Sequence, residues 1–245
     1  MIDLHTVATP NGHKVSIMLE EVGLAYRVIP YNIFAGDQFK PELMRLNPNH
    51  KLPVIEDFDP PGGGEPLAVF ESGAILAYLA EKTGQLGGEG PRGRSTVMQW
   101  LMFQMAGLGP MHGQAHHFIR YAPDPHDYAT QRYVKEAYRL LGVMESRLAR
   151  VPYLAGDSYT IADIASWPWI RATRLISVDL ATYPNLQRWY RDIEARPAVQ
   201  RGGRVIDDSV RTRPAASKVA LDAGQWSNLF GARQHANGAV EGHPT

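Results

Sequence analysis

Apolar and polar positions alternate from Ile2 to Thr6, the period of a strand. A run with Val15, Met18, Leu19 and Val22 at helical spacing follows, and Gly23 stands where helices stop, so a helix is predicted over about residues 12–21. Residues 26–31 have strand character again, which makes the opening β-α-β. Residues 36–39 are predicted as a loop, and Pro41 is placed like a first-turn proline ahead of a short helix carrying Leu43 and Leu46. Asn47-Pro48-Asn49 ends that helix. Residues 51–56 form the next strand, with a proline at its mouth, and the Leu52–Pro53 bond is a candidate cis peptide. A Gly- and Pro-rich connection over 59–66 leads to a strand at Leu67–Phe70, and the close spacing predicts a hairpin. Glu71-Ser72-Gly73 opens a helix with Ile75, Leu76 and Leu79 on one face, Ser72 as its N-cap, and Gly84 closes it.

The pattern then changes. Residues 85–93 are a glycine-dense linker. They contain G-x-G-x-x-G, but this follows a helix instead of a strand and has a proline inside, so it is not a dinucleotide site. Everything after Arg94 has helical period: first Val97, Leu101 and Met105, with Gly107-Leu108-Gly109-Pro110 bending or breaking that helix. A second helix covers about 128–150. Thr160 to Asp163 has the form of a capping box with a short acid, opening a helix that carries Ile164, Trp167 and Trp169 and that Pro168 should kink. Tyr183-Pro184 starts another with Leu186, Trp189 and Ile193. After Gly202 the period fades into an extension, expected to drape over the body and end loosely. The predicted organisation is an α/β domain over 1–84, a linker over 85–93, an all-α domain over 94–202 and an extension over 203–245.

Composition narrows the function. Lysine plus arginine equals aspartate plus glutamate, at 25 each, which leaves no basic footprint for nucleic acid or a membrane surface. No run is apolar and long enough to span a bilayer, and the N-terminus has no signal-peptide core, so a mature cytoplasmic protein is expected. Cysteine is absent, which excludes a disulfide framework, a zinc–thiolate site and a protein thiol nucleophile. Any thiol chemistry must use a ligand's thiol. His112 and His116 stand four apart with His117 behind them, but no acidic third ligand accompanies them, and no metal site is expected. They are substrate-side residues or plain structural histidines. Trp167, Trp169 and Trp189 are most simply core aromatics.

The stretch that carries chemistry is Thr9 to Lys14, TPNGHK, between the first strand and first helix. Such a junction aims backbone N–H groups and the positive end of a helix at whatever lies above it. Pro10 fixes the turn and Asn11-Gly12 tolerates positive φ. Thr9 presents a hydroxyl where an incoming thiolate or carboxylate would be stabilised. Thr9 and Asn11 also suit an ordinary cap and turn, and both readings stand on these residues alone.

A β-α-β-α-β-β-α module followed by helices is the layout of the glutathione transferase fold, an α/β thioredoxin-like domain joined to an all-α domain. With TPNGHK, Gly36-Asp37-Gln38-Phe39, Leu52-Pro53, the run from Phe70 to Leu76, Thr160 to Asp163 and Ser166-Trp167-Pro168-Trp169, the sequence resembles the Nu class of bacterial glutathione transferases, which are glutathione-dependent disulfide-bond oxidoreductases. The resemblance covers residues 1–200, and nothing carries over to the tail. It implies a homodimer that uses glutathione, reduced or oxidised, as co-substrate and a small-molecule disulfide or electrophile as partner. Thr9 and Asn11 become the catalytic pair beside the glutathione sulfur. Gln38, Lys51, Leu52, Pro53, Glu71 and Ser72 become further glutathione contacts. Arg132 is expected to reach across the dimer interface, although on its own it is equally a solvated helix charge. The competing readings are a conjugating transferase or peroxidase and a glutathione-binding regulatory module without turnover. The tail aromatics Trp226 and Phe230 are expected against the neighbouring subunit.

Overall fold

The computed structural model describes residues 1–205 and 218–236. Four strands, β1 (Ile2–Thr6), β2 (Tyr26–Pro30), β3 (Val54–Asp57) and β4 (Leu67–Phe70), form one mixed sheet in the order β2-β1-β3-β4. β1 runs parallel to β2, with Leu4 opposite Val28, and antiparallel to β3, with Leu4 opposite Ile55. β3 and β4 make the expected hairpin, Ile55 facing Val69. A parallel pair needs a crossover. Helix α1 (Pro10–Val22) supplies it, starting at its proline and ending at Gly23, whose φ of 68° is the left-handed stop. Helix α2 (Pro41–Leu46) buries Leu43 and Leu46, and helix α3 (Ser72–Thr83) buries Ile75, Leu76 and Leu79.

The helical half follows as α4 (Gly90–Phe103), α5 (Gly109–Arg120), α6 (Asp127–Leu148), α7 (Ile161–Arg171), α8 (Pro184–Glu194) and α9 (Pro197–Gly202). One continuous buried cluster runs from Ile2 and Leu4 through Val15, Leu76, Leu101 and Leu141 to Trp189 and Val199, so both halves share a core. Helix α1 lies at its centre, in contact with α3, α7 and α9. Every residue from Gly12 to Leu19 is therefore buried, polar ones included. Ser16 donates to the Gly202 carbonyl at 2.7 Å, and a side chain at Gly202 would meet the Ile17 backbone at 2.6 Å, which explains glycine there.

The capping box of α7 is present: Thr160 caps, and the Asp163 carboxylate accepts from the Thr160 and Leu154 N–H groups and from Trp189 Nε1 at 2.8–3.0 Å. Burial pushes this carboxyl above its ordinary range against the pull of those donors.

Several expectations are corrected. Residues 37–39 are a short 3-10 turn instead of a loop. Gly90 to Gly93 is already the first turn of α4, so the linker is shorter than the glycine pattern implies. Gly107-Leu108-Gly109-Pro110 does not break the chain: a π turn over Gln104–Leu108 joins α4 to α5. The wider turn accommodates Pro110 without ending the helical path. Ser72 is not the N-cap of α3; that position belongs to Glu71, and Ser72 is the first helical residue. The tail carries helices α10 (Ala223–Leu229) and α11 (Ala232–His235). Trp226 and Phe230 pack on their own chain, Phe230 lying 4.6 Å from the His117 ring and 5.3 Å from Tyr121, and both stay partly accessible. The expected loose end, residues 237–245, lies outside the described residues.

Candidate active site

Two donors left unused among the described residues meet at the start of α1. Thr9 is extended and caps the helix, its Oγ accepting from Gly12 N at 3.3 Å. Because the hydroxyl accepts there, its own hydrogen stays available to a ligand. Gly12 is required by space: a side chain there would meet the Val7 carbonyl oxygen at 2.3 Å. Asn11 is oriented from the helical half. Trp169 Nε1 donates to its Oδ1 at 3.0 Å, which turns the amide N–H₂ away from the tryptophan as a donor. His116 stacks on Trp169 with ring centroids 6.1 Å apart. A cleft of about 370 Å³ opens beside Thr9 and Pro10, with Pro168 and Leu175 on its far wall.

A second anchor lies at the start of α3. Glu71 has φ 68° and ψ 114°, a backbone region that costs a non-glycine residue about 1–3 kcal/mol. Strain of this kind concentrates at ligand clamps. Ser72 is nearly inaccessible, and its Oγ accepts from Lys14 Nζ at 3.2 Å and faces Met105 Sδ at 3.7 Å. Thioether sulfur is a weak acceptor, so a carboxylate would take that hydroxyl hydrogen in its place. Lys14 also donates to Gln104 Oε1 at 2.6 Å. Burial pulls its ammonium down to about 7, with Glu71 opposing.

Between the anchors, the Leu52–Pro53 peptide is cis, and the Leu52 backbone carries no hydrogen bond among the described residues. Gln38 and Lys51 lie under the tail. Gln38 is buried and donates to the Asn228 carbonyl at 2.8 Å, and Lys51 Nζ donates to Gln234 Oε1 at 2.7 Å. Arg132 stands exposed on α6, its charge acting on Glu136 one turn away, and no bond joins it to another side chain among the described residues. The structure thus places Thr9 with Asn11 on α1 and Glu71 with Ser72 on α3, while Arg132 stays outside both groups.

The histidines take a structural part. Burial holds His112 and His116 down to about 4, so both are neutral at pH 7. His112 Nδ1 bonds the Leu108 carbonyl at 2.8 Å. Among the described residues no three His, Cys, Asp or Glu side chains are grouped to hold a metal. Sequence reasoning missed two side chains that hold the candidate site in place. Trp169 reads as core, and its only signal was the Trp-Pro-Trp run. Lys14 reads as the polar end of TPNGHK, and nothing local marks it as buried.

Comparison with known proteins agrees with this geometry. The family models for the N-terminal and C-terminal domains of glutathione S-transferase match residues 8–82 and 127–192. The disulfide-bond oxidoreductase YfcG of Escherichia coli is 50% identical over 198 residues, covering 81% of this chain and 92% of YfcG. A glutathione transferase from Burkholderia graminis, crystallised with two glutathione molecules per subunit, superposes with a TM-score of 0.80 at 46% identity, covering 85% of this chain and 89% of that one. One from Pseudomonas putida, with one glutathione disulfide per subunit, gives 0.78 at 44% identity and coverages of 83% and 91%. Strand order, both family models and these relatives agree, and the chain belongs to the glutathione S-transferase family.

Proposed function

We propose that the protein is a glutathione-dependent disulfide-bond reductase whose only reacting sulfurs are those of its ligands and substrate. The observation that carries this is the pair of donors, Thr9 O–H and Asn11 N–H₂, held at a helix N-terminus in a chain without cysteine. A free thiol titrates near ~8.5, and donors at a helix start favour its thiolate. One glutathione thiolate attacks a substrate disulfide R–S–S–R′: an S–S bond forms to glutathione and R′–S⁻ leaves. The second glutathione thiolate attacks the mixed disulfide at the glutathione sulfur, forming glutathione disulfide and releasing R–S⁻. Two glutathione thiols are oxidised, one disulfide is reduced, and their two protons end on the product thiols. Relatives crystallised with two glutathiones or one glutathione disulfide per subunit support this stoichiometry.

In this reading Ser72 and the start of α3 take the γ-glutamyl carboxylate and Glu71 its ammonium. The open Leu52 backbone, aligned by Pro53, pairs with the cysteinyl peptide as an added strand would. Lys51, bonded to a neutral amide in the tail, is free to exchange it for a glycyl carboxylate, with Gln38 beside it. The substrate disulfide approaches through the cleft beside Thr9. Arg132 contributes from the second subunit of a homodimer. Exposed Phe58, Leu67 and Phe70 on the hairpin and Met98 and Met102 on α4 support such an interface. A chain that consumes reduced glutathione belongs where glutathione is kept reduced, the cytoplasm.

The test is turnover of bis(2-hydroxyethyl) disulfide with reduced glutathione by wild type, Thr9→Ala, Asn11→Ala and Trp169→Phe. The expected result is robust wild-type turnover, a fall of about 10- to 100-fold in the first two and a smaller fall in Trp169→Phe, with glutathione still bound. Each lost donor to sulfur accounts for about 1.5–3 kcal/mol. Tight glutathione binding without wild-type turnover of the disulfide would overturn the reductase reading.

A further inference from the structure

Lys14 is 1% exposed, yet no carboxylate among the described residues bonds to it. Its three contacts are the Gln104 amide oxygen, the Ser72 hydroxyl and the Met105 sulfur. Packing closes the site around it: a side chain at Gly73 would meet Met105 at 2.8 Å. The charged and titratable groups facing it are few. Glu71, at the cap of α3, is the one charge that acts on it, while the π turn presents only Gln104 and Met105, and His13 neighbours it on α1. The 12-residue helix α3 points its positive end at the same place. Two positive ends therefore meet at Ser72, and no anionic group among the described residues bonds to either. A buried ammonium without an anion is costly, and an anion arriving at Ser72 changes that balance.

We propose that Lys14 is a positioning residue for glutathione, a buried ammonium behind Ser72 that takes up a proton when the ligand's γ-glutamyl carboxylate arrives. The inference rests on the glutathione reading above. Before binding, Lys14 is poised near neutrality and divides its time between ammonium and amine. The carboxylate on Ser72 supplies the missing anion through the hydroxyl, and Lys14 stays protonated in the complex. Binding of the glutamyl end is thereby linked to one proton. This proton enters the protein, while the proton of the thiol leaves it at the other end of the same ligand.

The experiment is calorimetric titration of the full chain with S-methylglutathione between pH 6 and 9, in buffers of different ionisation enthalpy. The capped sulfur contributes no proton. Expected is net uptake approaching one proton per ligand at pH 8 and falling toward zero at pH 6, where Lys14 already carries its proton. Lys14→Met, which keeps the unbranched length, is expected to bind about 10-fold more weakly with uptake abolished. Binding by wild type with no uptake, or undiminished uptake in Lys14→Met, overturns the role of Lys14 and leaves the glutathione site standing. Failure of wild type to bind at any pH overturns the glutathione reading and this assignment together. If Lys14→Met does not fold, the wild-type pH series alone decides, because a merely structural lysine would show no uptake.

Discussion

Trp169 and Lys14 show how a side chain far from the ligand sets what the contacting residues can offer. Asn11 becomes a donor because Trp169 occupies its oxygen, and Ser72 gains a cation behind it because Lys14 has no better acceptor. Lys14 should also leave a mark on stability. Its proton is held to about pH 7 in the folded state and to its ordinary 10.5 in the unfolded chain. Between those values the unfolded chain binds more protons, so the lysine's penalty is full below pH 7 and is relieved as pH rises. The penalty is on the order of 4 kcal/mol, against roughly 1–3 kcal/mol lost when Gln104 Oε1 is orphaned. Lys14→Met should therefore be about 2 kcal/mol more stable than wild type at pH 6 and less stable by a similar amount near pH 10. Urea unfolding at both pH values checks the reversal; a difference that ignores pH would mean Lys14 is not buried as an ammonium. None of this was legible in the sequence. A lysine three residues after Asn11 reads as solvent-facing until it is known that α3, α7 and α9 surround α1. Glu71 was legible as a candidate ligand residue but not as the strained cap, because a positive φ on glutamate has no local signal.

Elements were legible where their signals are local. The change of period placed the start of α1 at residue 12, two residues past Pro10, which reads as part of the turn; Gly23 marked its end, and Thr160 to Asp163 the capping box. The π turn over Gln104–Leu108 was not, since Gly107 to Pro110 is equally a break until the surrounding helices fix a continuous path. The tail shows the same limit. Its residues fit many surfaces, and only the folded body selects one. The segment 218–236 runs from the end of α5, where Val219 N bonds the Arg120 carbonyl at 2.8 Å, to the loop before α2, where Asn228 bonds Phe34 and Gln38. It ties the two halves together, with Arg233 4.8 Å over the Phe39 ring. Removing residues 218–245 exposes His117, Phe39 and Gln38 and takes away the half-buried Trp226 and Phe230, worth about 2 kcal/mol after ordering is subtracted. The melting temperature should drop by roughly 4–8 °C, with the molecular mass of the assembly reduced only by the missing residues. A truncated chain that melts with wild type would mean that the strap is not docked in solution.

At the scale of the molecule, the exposed apolar side chains offer a surface for the second copy that the proposed homodimer requires. Met98 and Met102 lie one turn apart on α4, 42% and 46% exposed, and Phe70 and Leu67 are exposed on β4. Single exposed apolar residues need no explanation, whereas several large ones on two elements do. The tail leaves this surface open, since its described contacts are with α5, the loop before α2 and Lys51. Arg132 fits the proposed arrangement: it is exposed and bonded to none of its own chain's anchors among the described residues, and in the proposed dimer it would serve the partner's glutathione. Replacing Met98 and Met102 together by glutamate should convert an assembly of twice 27.2 kDa into single chains, because two buried like charges would face each other across a two-fold axis. Arg132→Ala should leave the mass unchanged and weaken glutathione binding about 10-fold, the loss of one charge-assisted contact. The two changes must not add. In the single-chain variant Arg132 has no neighbouring site to reach, so Arg132→Ala should then cost nothing further. Light scattering with glutathione titration of all three variants decides the matter. Additive losses would place Arg132 in its own subunit's site, and wild type at one chain's mass would remove the dimer itself.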